Sequence, residues 1–262
     1  MELIKTARKH GSLVSEIVYF ILNVGLALGV FGVVYLFPNL PVLAYLLVIL
    51  SKWRIFAVRP RFWWDNFQTN LLDLLLGLSV VTLLATARDE IVLQIAITVL
   101  YGIWLVVLKP MSSRLGVQTQ ATIAQFVAVT ALFSTAYAWS SWTLVVIMWL
   151  IGYISARHML GAYEEDEITL LSLVWGFLMA EIGWVAYHWT IAYSVGSPDS
   201  IFKIPQIAII ITMLSYFVGR SYGIYKKKGT MNASDVLWPG LFVAGTILVI
   251  LIFFNGLDPI NS

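Results

Sequence analysis

The sequence contains no cysteine and few charged residues. Without cysteine, the chain has no disulfide bond, no thiolate metal ligand and no cysteine nucleophile. Asp, Glu, Lys and Arg make up 11% of the 262 residues and hydrophobic residues make up 60%, whereas a typical soluble domain has about 25% charged residues. The mean hydropathy is +0.87. So few charged residues are not enough to cover a water-exposed surface. The composition therefore predicts a multi-pass membrane protein.

Common enzyme motifs are missing as well. The sequence has no P-loop and no H-E-x-x-H. Its three histidines, His10, His158 and His188, are scattered, so we predict no metal site and no cofactor. A net charge of +2 with one-sided placement of the basic residues gives no reason to expect a nucleic-acid partner. These absences favour a function other than catalysis.

Nine stretches are long and apolar enough to cross the hydrocarbon core, which is about 30 Å thick, as helices. Their approximate limits are 15–37, 40–58, 67–87, 91–108, 121–138, 141–160, 168–193, 203–224 and 236–254. The second stretch is the least apolar because it runs through Lys52 and Arg54. The sequence therefore predicts an all-α, polytopic integral membrane helix bundle of nine transmembrane helices.

The basic residues predict an orientation. If the N-terminus lies inside, 14 of the 16 Lys and Arg residues fall on the inner side, and only Arg88 and Lys203 fall outside. Basic residues stay preferentially on the cytoplasmic side. We therefore expect a protein of the cytoplasmic (plasma) membrane with its N-terminus in the cytoplasm and its C-terminus outside. The predicted single transmembrane domain, 1–262, has a lone helix, 15–37, and four hairpins joined on the cytoplasmic side, 40–87, 91–138, 141–193 and 203–254.

Acidic residues inside the predicted spans are the first functional candidates, because a charge at a helix centre costs about 2.5–3.5 kcal/mol. Glu181 lies halfway along the seventh span, with Trp184 and His188 on the same helical face. This face predicts a substrate or ion site, or alternatively a protonated Glu181 bonded to a neighbouring helix. Asp73, in the third span, is a second site residue, or an ion-pair partner of the basic loop before it or of Arg157.

The junction between the second and third spans combines cations with large aromatic side chains. Such a segment binds lipid headgroup phosphates, or serves as a plain aromatic belt with positive-inside anchoring. The predicted lipid-headgroup contacts are Lys52, Arg54, Arg59, Arg61, Trp63 and Trp64.

A run of four acids, Glu164, Glu165, Asp166 and Glu167, precedes the seventh span on the otherwise basic side. Acids at this position favour the N-terminal dipole of the following helix. The alternative is a contact with a basic partner, or with Lys226, Lys227 and Lys228 of the same chain, that braces two hairpins.

Three functions remain open from the sequence. The first is a transporter, channel or lipid-translocating protein with an intramembrane carboxylate site. The second is a non-catalytic membrane subunit or scaffold of a larger complex. The third is a lipid-modifying membrane enzyme, for which the loops offer no paired acid, base and nucleophile. The expected partners are membrane lipids, together with another membrane subunit or a second copy of the chain.

Overall fold

The computed structural model describes residues 2–57, 59–135, 139–188, 191–195 and 202–254, with only the backbone for residues 2–13 and Arg54. Within these residues the chain forms nine α-helices and one small antiparallel sheet, so the all-α prediction is confirmed. The helices are α1 (Glu2–Leu36), α2 (Val42–Leu50), α3 (Trp63–Thr86), α4 (Ile91–Ile103), α5 (Arg114–Thr135), α6 (Ser141–Gly161), α7 (Ile168–Tyr187), α8 (Gln206–Lys228) and α9 (Ala233–Phe253). The strands are β1 (Ala192–Ser194) and β2 (Lys203–Pro205), with Ala192 opposite Pro205.

Eight of the helices in the described part of the chain are long and apolar enough to cross a membrane. The exception is α2, whose nine residues extend only about 14 Å. The prediction that 40–58 forms a full membrane-spanning helix is therefore wrong. The helix ends at Leu50 because the apolar run stops there, and a 3₁₀ turn over Trp53–Phe56 follows. The chain is thus a multi-pass membrane protein with eight candidate spans. Residues 136–138 of the predicted fifth span lie outside the described residues.

Short α2 nevertheless runs antiparallel beside α3. Near its start, the hydroxyl of Tyr45 is 2.9 Å from that of Thr82, toward the end of α3. Val48 lies against Gly77, near the middle of α3. Beyond the end of α2, the chain reaches the level of Asp73. The 3₁₀ turns Trp53–Phe56 and Pro60–Phe62 then lead into α3.

Two clusters of buried apolar side chains lie on either side of α5. One joins α1 to α4 with Ala124 and Ala131 of α5, and the other joins α6, α7 and α8 with Leu132 and Phe133 of α5. Since α5 contributes to both clusters, it is the central helix of the bundle. Among the described residues α9 buries only Val243 fully and packs against α8.

Glycines allow the close approach of α6 and α7. A Cβ atom on Gly152 would lie 2.7 Å from Met179 Cγ and 3.0 Å from Gly176 Cα. A Cβ on Gly183 would lie 2.6 Å from Met148 Cγ. Small residues at such contacts are the usual way in which membrane helices approach closely.

Candidate functional site

Asp73 of α3 is the centre of a buried ion cluster. Its residue surface is 7% exposed, and its carboxylate forms ion pairs with both Lys52 and Lys109, the latter at 2.6 Å from Oδ2 to Nζ. The indole Nε1 of Trp104 donates to Oδ1 at 3.4 Å. One negative charge therefore faces two positive charges, which leaves the cluster with a net charge of +1.

The three charged residues come from three different elements. Lys52 follows α2, Asp73 is in the third turn of α3, and Lys109 follows the wide π-helical turn Trp104–Leu108 that ends α4. In that turn the N–H of Lys109 donates to the carbonyl of Trp104, five residues earlier, at 2.8 Å. In a regular α-helix, residues five apart lie on different faces, since one turn takes 3.6 residues. The wider turn brings Trp104 and Lys109 toward one side, where both contact Asp73.

A layer of polar contacts surrounds the cluster at the same end of the bundle. Gln120 of α5 donates through Nε2 to the carbonyls of Leu108 and Met111, at 2.6 and 2.9 Å. His158 of α6 donates through Nε2 to Oε1 of Gln120 at 2.8 Å. Arg157 contacts Gln68 of α3 at 2.6 Å and is not a partner of Asp73. Of the two sequence-based partners for Asp73, the basic loop is therefore the one observed.

An apolar cleft of about 420 Å³ begins beside this cluster and lies between α3, α4 and α5. Trp104 belongs to both features, since its ring lines the cleft while its Nε1 donates to Asp73. Tyr101, which also lines the cleft, is 2% exposed, and its hydroxyl has no hydrogen-bond partner among the described residues. Phe202 and Ile204, at the β-hairpin, line the cleft as well.

The residues of the cation-rich junction after α2 differ in their exposure. The amine of Lys52 points into the bundle, where its side chain is 9% exposed. Arg59, Arg61, Trp63 and Trp64 are exposed. The guanidinium of Arg61 lies 4.5 Å from the centre of the Phe62 ring. The side chain of Arg54 lies outside the described part of the structure.

Glu181, Trp184 and His188 lie together on the outer face of α7, and all three are exposed. The rings of Trp184 and His188 pack edge to face, with their centres 5.4 Å apart. Glu181 has no hydrogen bond or ion pair to any other residue in the described ranges. None of the three lines the cleft or contacts Asp73.

The acidic loop before α7 contacts α8 through one of its four acids. Glu165 pairs with Lys226 at 2.6 Å and accepts a hydrogen bond from the hydroxyl of Tyr222. The hydrogen bond from Lys226 holds the pKa of Glu165 below its usual value. Glu164, Asp166 and Glu167 are exposed, and Glu167 occupies the N-cap position of α7 without a side-chain capping bond. The loop thus braces the α6–α7 hairpin against α8.

A second cavity, of about 320 Å³, lies between α5, α6, α7 and α8. Three polar side chains on its wall bind each other, since Gln125 donates to Ser215 at 2.6 Å and Ser155 donates to Gln125 at 3.0 Å. These groups join three helices and satisfy one another. The arrangement is typical of polar contacts that hold membrane helices together.

Sequence reasoning missed Lys109, Trp104 and Tyr101 as parts of this site. Lys109 follows an apolar run and precedes Pro110. The sequence therefore indicates only a basic residue in a loop between two spans. The available signal was an acid in one span, together with a lysine inside the preceding stretch and another directly after the following span. In the described residues, no group of three His, Asp or Glu side chains is arranged to hold a metal ion.

Comparison with known proteins finds no family model, no curated protein and no solved structure that matches this chain.

Proposed function

We propose that this chain is a lipid-translocating membrane protein that binds the phosphate of an anionic lipid at Lys109. The observation that carries the proposal is the ion cluster of Lys52, Asp73 and Lys109, with its excess of one positive charge inside the helix bundle. A phosphate bound there has left the headgroup layer and entered the protein, which is the first step of translocation.

The bonding within the cluster favours an anion over a cation as the ligand. Both oxygens of Asp73 already accept N–H donors, Oδ2 from the two lysines and Oδ1 from Trp104. A bound cation would have to displace one of these donors and would add to the positive charge. The side chain of Lys52 is 9% exposed, whereas that of Lys109 is 32% exposed. Lys52 therefore neutralises Asp73, and Lys109 is the cation that a ligand reaches.

Several features favour a lipid as the source of this anion. The cluster lies in a multi-pass membrane protein, beside an apolar cleft and not beside a polar channel. Exposed Arg59, Arg61, Trp63 and Trp64 precede or begin α3, the helix that carries Asp73. Arginine at a membrane surface attracts anionic headgroups, and tryptophan prefers the headgroup level. These side chains would concentrate anionic lipid at the headgroup level, about 15 Å along α3 from Asp73.

We also propose that the end of the bundle with the ion cluster faces the cytoplasm of a cell whose plasma membrane holds the protein. This end carries Lys52, Lys109, Arg157 and the α8 lysines that meet the acidic loop. The positive-inside rule supports this orientation. Because the native chain lacks cysteine, single cysteines introduced at Ser113 and Ser140 and labelled from each side of the membrane test it directly.

Lipid selectivity tests the proposed function. We expect native mass spectrometry of the purified protein to show preferential retention of phosphatidylglycerol over phosphatidylcholine with the same chains. Lys109→Gln should weaken phosphatidylglycerol binding about tenfold or more, because a hydrogen bond to a charged group contributes about 1.5–3 kcal/mol. Lys109→Gln should also slow transfer of phosphatidylglycerol between the leaflets of proteoliposomes.

The matched control is Lys227→Gln, which removes the same charge from the exposed end of α8. It should leave both lipid retention and lipid transfer unchanged. Equal retention of the two lipids by the native protein, or equal loss in the two variants, would contradict a phosphate site at Lys109.

A second candidate function is that of a subunit in a larger membrane complex, with a second membrane protein as the partner. The observation that favours it is Glu181, which is exposed on the membrane-facing surface of α7 and unpaired within the described ranges. A partner helix that covers it would remove its exposure to lipid. If the protein purifies from its own membranes in a complex that Glu181→Leu dissociates, this function is supported, and a monomer in both cases would exclude it.

A further inference from the structure

The cleft between α3, α4 and α5 continues directly from the ion cluster. Trp104 lines the cleft and donates to Asp73, and Leu108 lines it next to Lys109. The rest of its wall is almost entirely apolar. A ligand whose charged group meets Lys109 would therefore have its apolar part at the mouth of this cleft.

The cleft runs along part of α3. Leu76 and Leu83 are the first and last α3 residues that line it, and this separation of seven residues corresponds to a helical rise of about 10 Å. The volume of about 420 Å³ lies within the range of small-molecule sites, which is about 300–1,000 Å³.

The cleft opens sideways to the lipid. Leu100 and Ile103 of α4 line it, and they are also exposed on the outer surface of the bundle. Ala96, one turn before Leu100, is exposed and lines it too. A chain can therefore enter from the bilayer without crossing a wall of helices.

We infer that this cleft is a binding site for one hydrocarbon chain of the lipid whose phosphate contacts Lys109. The inference rests on the proposed function, because the charged end of the same ligand defines where the chain begins. The ligand class is a phospholipid with a chain that extends from the ion cluster toward the β-hairpin. The ring of Trp104 lies at the boundary between the charged and apolar parts of the site.

A photo-crosslinking lipid tests the inference. The probe is phosphatidylglycerol with a diazirine halfway along one acyl chain, incorporated into vesicles with the full-length protein. We expect peptide mass spectrometry to find crosslinks several-fold enriched on cleft residues such as Leu83, Leu93 and Phe126. Ala96→Trp, which fills the mouth of the cleft, should remove this enrichment, and Val92→Trp should retain it, because Val92 is on the same helix and does not line the cleft.

The outcomes separate the two proposals. If crosslinks spread evenly over the lipid-facing helices while the protein still selects phosphatidylglycerol through Lys109, the chain site is overturned and the proposed function stands. If the protein neither selects phosphatidylglycerol nor concentrates crosslinks in the cleft, both fail. Enrichment that Ala96→Trp does not change would also overturn the chain site, because the label would then report a different surface.

Discussion

Asp73 holds the two lysines of the buried ion cluster together. A buried carboxylate between two lysines is stable only as a group, because desolvation of each charge is offset by the others. The same arrangement supports the proposed phosphate site, since Lys52 neutralises the acid and Lys109 is the second, more exposed cation. The net charge of +1 therefore follows from the number of lysines that one carboxylate holds.

Removal of Asp73 should destabilise the protein strongly. We expect Asp73→Ala to lower the free energy of unfolding by about 3–5 kcal/mol, because two amines remain close together and one of them is buried without a counter-charge. Thermal unfolding of the purified protein in detergent measures the change. Addition of Lys52→Met to the same variant should restore much of the loss, since it removes the buried charge.

Asp89→Ala is the matched control for that variant. Asp89 also pairs with a basic residue, Arg88, but both side chains are more than half exposed. An exposed pair of this kind contributes about 0–1 kcal/mol. If Asp73→Ala is no more destabilising than Asp89→Ala, the buried cluster does not have the energetic role that its geometry indicates.

At the scale of elements, the short helix α2 positions the cluster. It lies against α3 because Gly77 leaves room for Val48, and this contact places the following residue Lys52 beside Asp73. One lysine of the predicted headgroup-binding junction is therefore buried inside the bundle.

Gly77→Ala should disturb this contact. The added Cβ would lie 2.7 Å from Val48 Cγ1 and 3.2 Å from the hydroxyl of Tyr101, and overpacking of this kind costs about 1–3 kcal/mol. We expect a lower unfolding temperature and weaker binding of phosphatidylglycerol. Gly102→Ala is the control, because its Cβ would meet nothing within 4 Å, and an unfolding temperature that falls equally in both variants would refute the role of the α2–α3 contact.

Much of the element pattern is predictable from the sequence because a membrane-spanning helix has a strong apolar signal. Eight of the predicted spans correspond to helices long enough to cross. The second does not, because α2 ends at Leu50. A count of apolar residues also does not predict that Lys52 pairs with Asp73 inside the protein. The sequence predicts that Asp73 lies within a span, and it also offers the alternative that Asp73 pairs with the loop before it.

The sequence does not predict the rest of the site, because these contacts depend on which helices are neighbours in the bundle. Lys109 contacts Asp73 only since α4 lies beside α3 and ends in a π-helical turn, and a run of apolar residues does not encode that turn. The cleft is likewise a space between helices, with no pattern of its own. Glu181, which is prominent in the sequence, lies on the outer face of α7 because its neighbours Met179, Ala180 and Gly183 turn inward.

At the scale of the whole molecule, α5 divides the bundle into two parts with different polar interiors. The part built on α1 to α4 contains the charged cluster and the apolar cleft. The part built on α6 to α8 contains the neutral network of Gln125, Ser155 and Ser215. The anionic ligand that we propose would therefore find its counter-charge in the first part, while the polar contacts of the second part join helices.

A cryo-EM structure of the protein in nanodiscs rich in phosphatidylglycerol tests whether an anionic lipid places its phosphate at Lys109. We predict density for a phosphate within hydrogen-bonding distance of Lys109 Nζ, while Lys52 remains paired with Asp73. Ordered phospholipid elsewhere on the bundle, with Lys109 bound to Asp73 alone and no density beside it, would contradict a phosphate site at Lys109.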